Sequence, residues 1–253
     1  MELAMGFAAF LCFWLGFPAP ALVLRCGLNA SLRFSPRAAL ALGAVASVCG
    51  AVCALLRRGG LRAAPHAARL PALACAFAGG TLGRALLLML VARFPGSLTL
   101  ARIQLAPLLS LTLLALIPLQ PPRRGPLAPR TLGALCLLFA LADGFLGAGG
   151  MLLATRFLPS PIVRARHRPA TPALLLTAGA QTGALALTLC AGAAQVFPAR
   201  MLLAVALGAS LGALAGECLP QSKRGTLLWG MRAAVKVYLA VAVLALAEQA
   251  LRG

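Results

Sequence analysis

Apolar residues run in long stretches along the chain, separated by short breaks rich in proline and arginine. Eight stretches are each long enough to cross a bilayer: 4–24, 37–56, 70–92, 101–119, 131–155, 170–192, 198–218 and 228–250. A spanning helix needs roughly 20 apolar residues, because it rises about 1.5 Å per residue through a hydrocarbon core about 30 Å thick. Pro36-Arg37, Leu70-Pro71, Phe94-Pro95-Gly96, Pro169 to Pro172 and Phe197-Pro198 stand at predicted span boundaries. Proline is tolerated there, because the first N–H groups of a helix have no partner within it. The pattern predicts an all-α fold, a polytopic integral membrane helix bundle of eight transmembrane helices.

The longest polar break is Gln120-Pro121-Pro122-Arg123-Arg124-Gly125-Pro126, and the sequence on either side of it repeats. Leu15-Gly16-Phe17-Pro18 falls opposite Leu146-Gly147-Ala148-Gly149 at an offset of 131 residues. Gly79-Gly80-Thr81-Leu82-Gly83 falls opposite Gly208-Ala209-Ser210-Leu211-Gly212 at 129, and Arg102 opposite Arg232 at 130. The predicted organisation is a first transmembrane repeat over 1–120, a linker over 121–130 and a second repeat over 131–253. Duplicated halves are a recurrent transporter design.

Composition sharpens the class. Of 253 residues, 61% are hydrophobic and 11% are charged, and the net charge is +19. In a soluble chain that charge would point to nucleic acid. Here the basic residues cluster between apolar spans, as at Arg57-Arg58, Arg62, Arg69 and Arg123-Arg124, where they meet anionic lipid headgroups. No RNA-binding motif and no basic stripe with interleaved aromatics is present, so no nucleic-acid partner is expected. Lys and Arg are slightly more numerous beside the odd-numbered loops, which leans towards termini outside the cytoplasm. The N-terminus lacks a basic stretch before its apolar run, so no cleaved signal is expected. Asn29-Ala30-Ser31 matches a glycosylation sequon, a pattern short enough to arise by chance. The eight cysteines are scattered without C-x-x-C spacing, and His66 and His167 fall in predicted loops. No metal site and no cofactor are expected.

The segment richest in candidate chemistry is Asp143-Gly144-Phe145-Leu146-Gly147-Ala148-Gly149-Gly150, in the fifth span. Each glycine weakens a helix by about 1 kcal/mol relative to alanine. In lipid, backbone groups freed by a break must find partners in protein or in a water-filled cavity. A broken helix at Gly147, Gly149 and Gly150 would aim N–H groups and a positive dipole end at an anion. Close helix packing by the same glycines is the competing expectation. In the first half, Gly16-Phe17-Pro18-Ala19-Pro20 would make the equivalent break with prolines.

Ionisable residues within spans are costly, at least ~2.5 kcal/mol each near the bilayer centre. Arg84, Asp143 and Lys236 are the candidates, and with the three glycines they form the expected substrate-binding set. Arg84 could instead form a structural pair with Asp143, and Lys236 could reach the interface. Glu217 and Glu248 lie near span ends and could reach water. Thr177, Gln181 and Thr188 share one face of the sixth span and could line a path or bond between helices. Gly79, Gly80 and Gly83, with Gly208, Gly212 and Gly216, read as contact faces for neighbouring helices.

These features together resemble the sulfite exporter TauE/SafE group of transporters, also called the TSUP family. The resemblance rests on two halves of four spans, each opening with a glycine-rich motif, an apolar run and proline. The better copy is Gly144-Phe145-Leu146-Gly147-Ala148-Gly149-Gly150-Met151-Leu152-Leu153, then Pro159. The closing spans resemble the family's as well, with small residues from Leu207 to Gly216, a basic Lys223-Arg224, and a helix begun by Arg232. Residues 4–24 depart from the pattern, because Pro18 and Pro20 stand where glycine is usual. The resemblance implies a multi-pass secondary transporter of the inner (cytoplasmic) membrane. Its substrates would be small anions, among them sulfite or organosulfur anions.

Anion transport is the leading expectation, with a small-anion substrate and the lipid bilayer as partners; assembly into a homo-oligomer stays open. No G-x-x-x-x-G-K-[ST] motif is present, so a gradient or a separate subunit would supply the drive. The alternatives are a membrane-embedded enzyme acting on lipid or isoprenoid substrates and a non-catalytic membrane subunit. With four acids and two histidines, the chain has few residues from which to assemble an enzyme site, and no enzyme is expected.

Overall fold

The computed structural model describes residues 2–15, 20–24, 36–59, 66–94, 99–116, 129–158, 171–192, 199–218, 233–238, 240, 241, 244 and 248. Pro18, the Asn29 sequon, residues 121–128 of the predicted 121–130 linker, Pro159, His167, Lys223, Arg224 and Arg232 lie outside them, and Pro129 and Arg130 of that linker open α5. Eight helices are delimited among the described residues: α1 Glu2–Trp14, α2 Pro36–Arg57, α3 His66–Arg93, α4 Thr99–Leu116, α5 Pro129–Leu146, α6 Gly150–Phe157, α7 Thr171–Cys190 and α8 Ala199–Cys218. Residues 20–24 and 233–238 are also helical. No strand occurs among the described residues.

Four segments are long and apolar enough to cross a membrane: Ala39–Arg57, Pro71–Arg93, Thr171–Cys190 and Ala199–Cys218. They make the chain an all-helical membrane protein. Two sequence expectations change in detail. His66 is the first residue of α3 and not part of a loop, and Pro71 lies inside that helix. Pro172 is the second residue of α7, at a helix start as expected. The break expected at the glycines of the fifth span is present, and divides it into α5 and α6.

Burial separates inner from outer helices. The spanning windows of α2 and α7 are each 61% buried, against 33% for α3 and 39% for α8. On α3, Leu82, Leu86 and Met89 face outward, and on α8 Leu203, Leu207, Leu211 and Leu214 do the same. Each set follows the helical three-to-four residue spacing, so each is one continuous apolar stripe. Such stripes would be a liability in water and are the natural face towards lipid.

The opposite faces of α3 and α8 carry glycines, and the neighbouring helices come close there. A Cβ on Gly79 would stand 2.6 Å from the Leu137 carbonyl oxygen of α5, and one on Gly83 would meet the Leu141 carbonyl. On α8, Gly208 and Gly212 meet the Gly6 and Phe10 carbonyls of α1 in the same way. Lipid tails are as apolar as leucine, so van der Waals contact at close range, rather than exclusion of water, holds such helices together. An ion pair adds to this at one end. Arg58 donates to Glu217 at 2.6 Å, tying the C-terminal end of α2 to that of α8.

The contacts predict a graded response to added methyl groups. Gly83→Ala and Gly212→Ala force a Cβ into backbone and should each lower stability by about 1–3 kcal/mol. Among the described residues, Gly133→Ala meets only Cys75 Sγ, at 3.9 Å. It should be neutral, or stabilising by up to about 1 kcal/mol through helix propensity. Thermal unfolding of purified protein in detergent reads the difference. Equal unfolding temperatures for the three variants would contradict the close-packing account.

Candidate anion site at the break between α5 and α6

The break is built from two glycines in left-handed backbone. Gly147 has φ 66° and Gly149 has φ 107°, conformations that a Cβ disfavours. The last helical bond of α5 runs from the Gly147 N–H to the Asp143 carbonyl at 2.7 Å. The chain turns at Gly147 as at a helix C-terminus, then restarts with the Leu153 N–H bonded to the Gly149 carbonyl at 2.9 Å.

Side chains close the hydrogen bonding that the break opens. The Gly150 N–H, first of α6, donates to Asp143 Oδ1 at 2.8 Å. Gln104 of α4 donates from Nε2 to the Phe145 carbonyl at 2.8 Å. Gln181 of α7 donates from Nε2 to the Asp143 carbonyl at 3.2 Å. Three helices thus supply partners to one interruption. The expected open cradle at Gly150 is corrected by this arrangement, since the chain's own carboxylate already takes that N–H. The glycine at position 150 serves that contact, because a Cβ there would stand 2.6 Å from both Cβ and Cγ of Asp143. At Gly149, a Cβ would meet Leu111 Cδ1 at 2.5 Å besides straining the backbone.

Around this closed frame, several buried polar atoms have no partner among the described residues. They are Asp143 Oδ2, Arg84 Nε, Gln181 Oε1, Thr177 Oγ1 and Ser47 Oγ. Arg84 is 4% exposed and Asp143 2%. Each acts electrostatically on the other, yet they form no ion pair within 4.0 Å. Arg84 follows Gly83, whose close contact with α5 brings this part of α3 against the helix that carries Asp143. Thr177 lies one turn before Gln181 on the buried side of α7. From α2, a Cβ on Gly43 would lie 3.8 Å from the Gly147 carbonyl oxygen and 3.7 Å from that of Ala21. Gly43 therefore sits between the break and the 20–24 helix, with Ser47 one turn further along α2.

Of the expected site residues, Gly147, Gly149, Gly150, Asp143 and Arg84 meet here. Lys236 is half-buried on the 233–238 helix and is not among the groups acting on Asp143. The expected polar face of α7 divides, because Thr188 bonds back to the Ala184 carbonyl of its own helix at 2.7 Å. Gln104, fully buried, is a site residue that the sequence reading passed over. A lone glutamine inside an apolar helix was the available signal. Among the described residues, no group of three or more His, Cys, Asp or Glu could hold a metal ion.

The Asp143–Gly150 bond predicts an order among variants. Asp143→Ala leaves the Gly150 N–H buried without a partner and should cost about 1–3 kcal/mol. Asp143→Asn keeps an acceptor at Oδ1 and should cost less. Thermal unfolding in detergent ranks the two, and an Asp143→Ala protein as stable as wild type would contradict the capping role. Compared with known proteins, the chain matches no family model, and neither a curated protein nor a solved structure matches it.

Proposed function

We propose that the chain is a secondary transporter of small anions, with Arg84 as the group that receives the anion. The observation that carries this reading is a guanidinium almost wholly buried in a membrane protein, beside a helix break, with no carboxylate in ion-pair contact among the described residues. An ionisable residue held within the membrane at such a cost marks a functional path by default. Arginine suits the task, since its planar fork stays charged and matches oxyanions in two-point contact. The break beside it is the kind of interruption that transporters place at their binding sites. The reading is of a transporter and not an enzyme. It includes the TauE/SafE-like assignment, sulfite or organosulfur anions as substrates, and a place in the inner membrane. The assignment rests on the sequence motifs alone.

The same proposal includes eight crossings in two interleaved halves. The glycine contacts support it. Gly79 and Gly83 of α3 map onto Gly208 and Gly212 of α8 at an offset of 129. Their contact residues, Leu137 and Leu141 on α5, map onto Gly6 and Phe10 on α1 at 131. Each half packs its glycine helix on the opening helix of the other half, with the inner helices α2 and α7 between them. An approximate twofold relation of this kind exchanges the halves. Reporter fusions at residues 30, 62, 96, 125, 165, 195 and 222 should report alternating sides. Two successive fusions on one side would remove the eight-crossing layout.

Uptake into proteoliposomes tests the transport itself. Sulfite, sulfate and methanesulfonate, offered singly, should give saturable uptake of at least one anion above protein-free vesicles. Removing a buried charged hydrogen-bond donor costs about 1.5–3 kcal/mol, so Arg84→Ala should lower that uptake about ten- to a hundredfold. Arg200→Ala, exposed at the start of α8, should leave it unchanged. Uptake indistinguishable from empty vesicles for all three anions would overturn the reading.

A further inference from the structure

We infer that Asp143 carries a proton that travels with the anion, making the transport an electroneutral symport of one proton with one monovalent anion. The inference rests on the transport reading above and names its coupling ion. It starts from the charge balance of the buried pair. With Asp143 ionised, its charge and that of Arg84 cancel. An anion arriving at Arg84 would then leave one uncompensated negative charge in the protein interior, beside a carboxylate. Like charges in a low-dielectric setting repel strongly, so that state is disfavoured. A proton on Asp143 removes the conflict. The empty site is then positive, which draws the anion in, and the loaded site is neutral, which lets it cross.

The geometry provides a place for that proton. Oδ1 of Asp143 is committed to the Gly150 N–H, while Oδ2 is buried and has no partner among the described residues. The proton bonds to Oδ2 on one face of the membrane and leaves from it on the other; nothing is oxidised or reduced. Gln181 offers Oε1, an unpartnered acceptor, on a side chain already bonded to the Asp143 backbone. The groups around Asp143 leave few competitors for the role. From α3 comes Arg84, the charge that acts on Asp143 among the described residues. From α7 come Gln181 and Thr177, both neutral, and from α6 the Gly150 N–H. Arg156 of α6 donates to the Leu114 carbonyl on α4 at 3.3 Å. From α4, Gln104 is taken up by the Phe145 carbonyl.

The stoichiometry follows from the proposed repeat. At the offsets of 129 to 131, Asp143 corresponds to Cys12, Arg84 to Ala213, Gln181 to Ala51 and Gln104 to Ala234. None of the four counterparts carries a charge or an amide. The polar set therefore occurs once, and each chain holds one such buried carboxylate together with one anion-receiving arginine.

Radiolabelled methanesulfonate is the probe, because it stays singly charged across the working pH range and any pH effect then belongs to the protein. Wild-type proteoliposomes should accumulate it when the outside is acid. A protonophore should abolish the accumulation, and an imposed membrane potential should not replace the pH gradient. Asp143→Asn should retain methanesulfonate exchange between the two faces but lose acid-driven accumulation by about tenfold or more. Accumulation driven by acid in Asp143→Asn as in wild type would overturn the proton assignment while leaving the transport reading intact. So would wild-type uptake that ignores the pH gradient. A wild type with neither uptake nor exchange of methanesulfonate would overturn the symport, and the transport reading falls with it when sulfite and sulfate give no uptake either. A second measurement needs no variant: adding methanesulfonate to a lightly buffered vesicle suspension should alkalinise the medium by one proton per anion taken up. Uptake without alkalinisation would again refute the coupling.

Discussion

Backbone hydrogen bonding inside lipid is the constraint on which this structure turns. An interrupted helix exposes N–H and C=O groups that water cannot reach, and each unsatisfied group costs several kcal/mol. The α5–α6 break meets that requirement with side chains from its own helix and two others: Asp143 for the Gly150 N–H, Gln104 for Phe145 and Gln181 for Asp143. Those contacts fix where α4 and α7 sit relative to α5. They also place a carboxylate in the interior and leave one of its oxygens uncommitted. The polar residues of the candidate site thus have two tasks. Asp143 and Gln181 each close part of the break, while Asp143 Oδ2 and Gln181 Oε1 are buried without a partner among the described residues.

Packing provides the second frame. Small residues let α3 approach α5, and α8 approach α1, to backbone contact. Close approach of this kind is stiff, because neither side has a flexible side chain to yield. Arg84 follows directly after one of these glycines, so its position is set by a backbone contact and not by its own long side chain. A charge that cannot retreat to the interface must be met by something. Asp143 is near enough to act on it but too far for an ion pair. A partly compensated cation of that sort is suited to receiving an anion and releasing it again.

Much of this was legible in the sequence, for physical reasons that can be named. Four helices long and apolar enough to cross a membrane follow predicted apolar runs, because length and hydropathy mark such helices in a sequence. The break was visible as four glycines within seven residues, which no stable continuous helix would gain from. Arg84 and Asp143 stood out as charges within apolar runs. The partners did not stand out. Nothing in the chain says that Gln104 bonds a carbonyl 41 residues away, or that Arg58 reaches across 159 residues to Glu217. The capture of the Gly150 N–H by Asp143 was also hidden, because a separation of seven residues becomes a contact only once the helix has turned at Gly147. The glycine faces were readable as contact surfaces, but the helices they meet follow from topology.

The central claim is that Arg84 receives the transported anion and is more than a structural charge. Equilibrium binding of radiolabelled sulfite to equal amounts of folded wild-type and Arg84→Ala protein tests it most directly. The account predicts saturable binding to wild type at about one sulfite per chain, weakened about ten- to a hundredfold in the variant. Equal affinity in the two proteins would contradict it and return Arg84 to a role in packing alone.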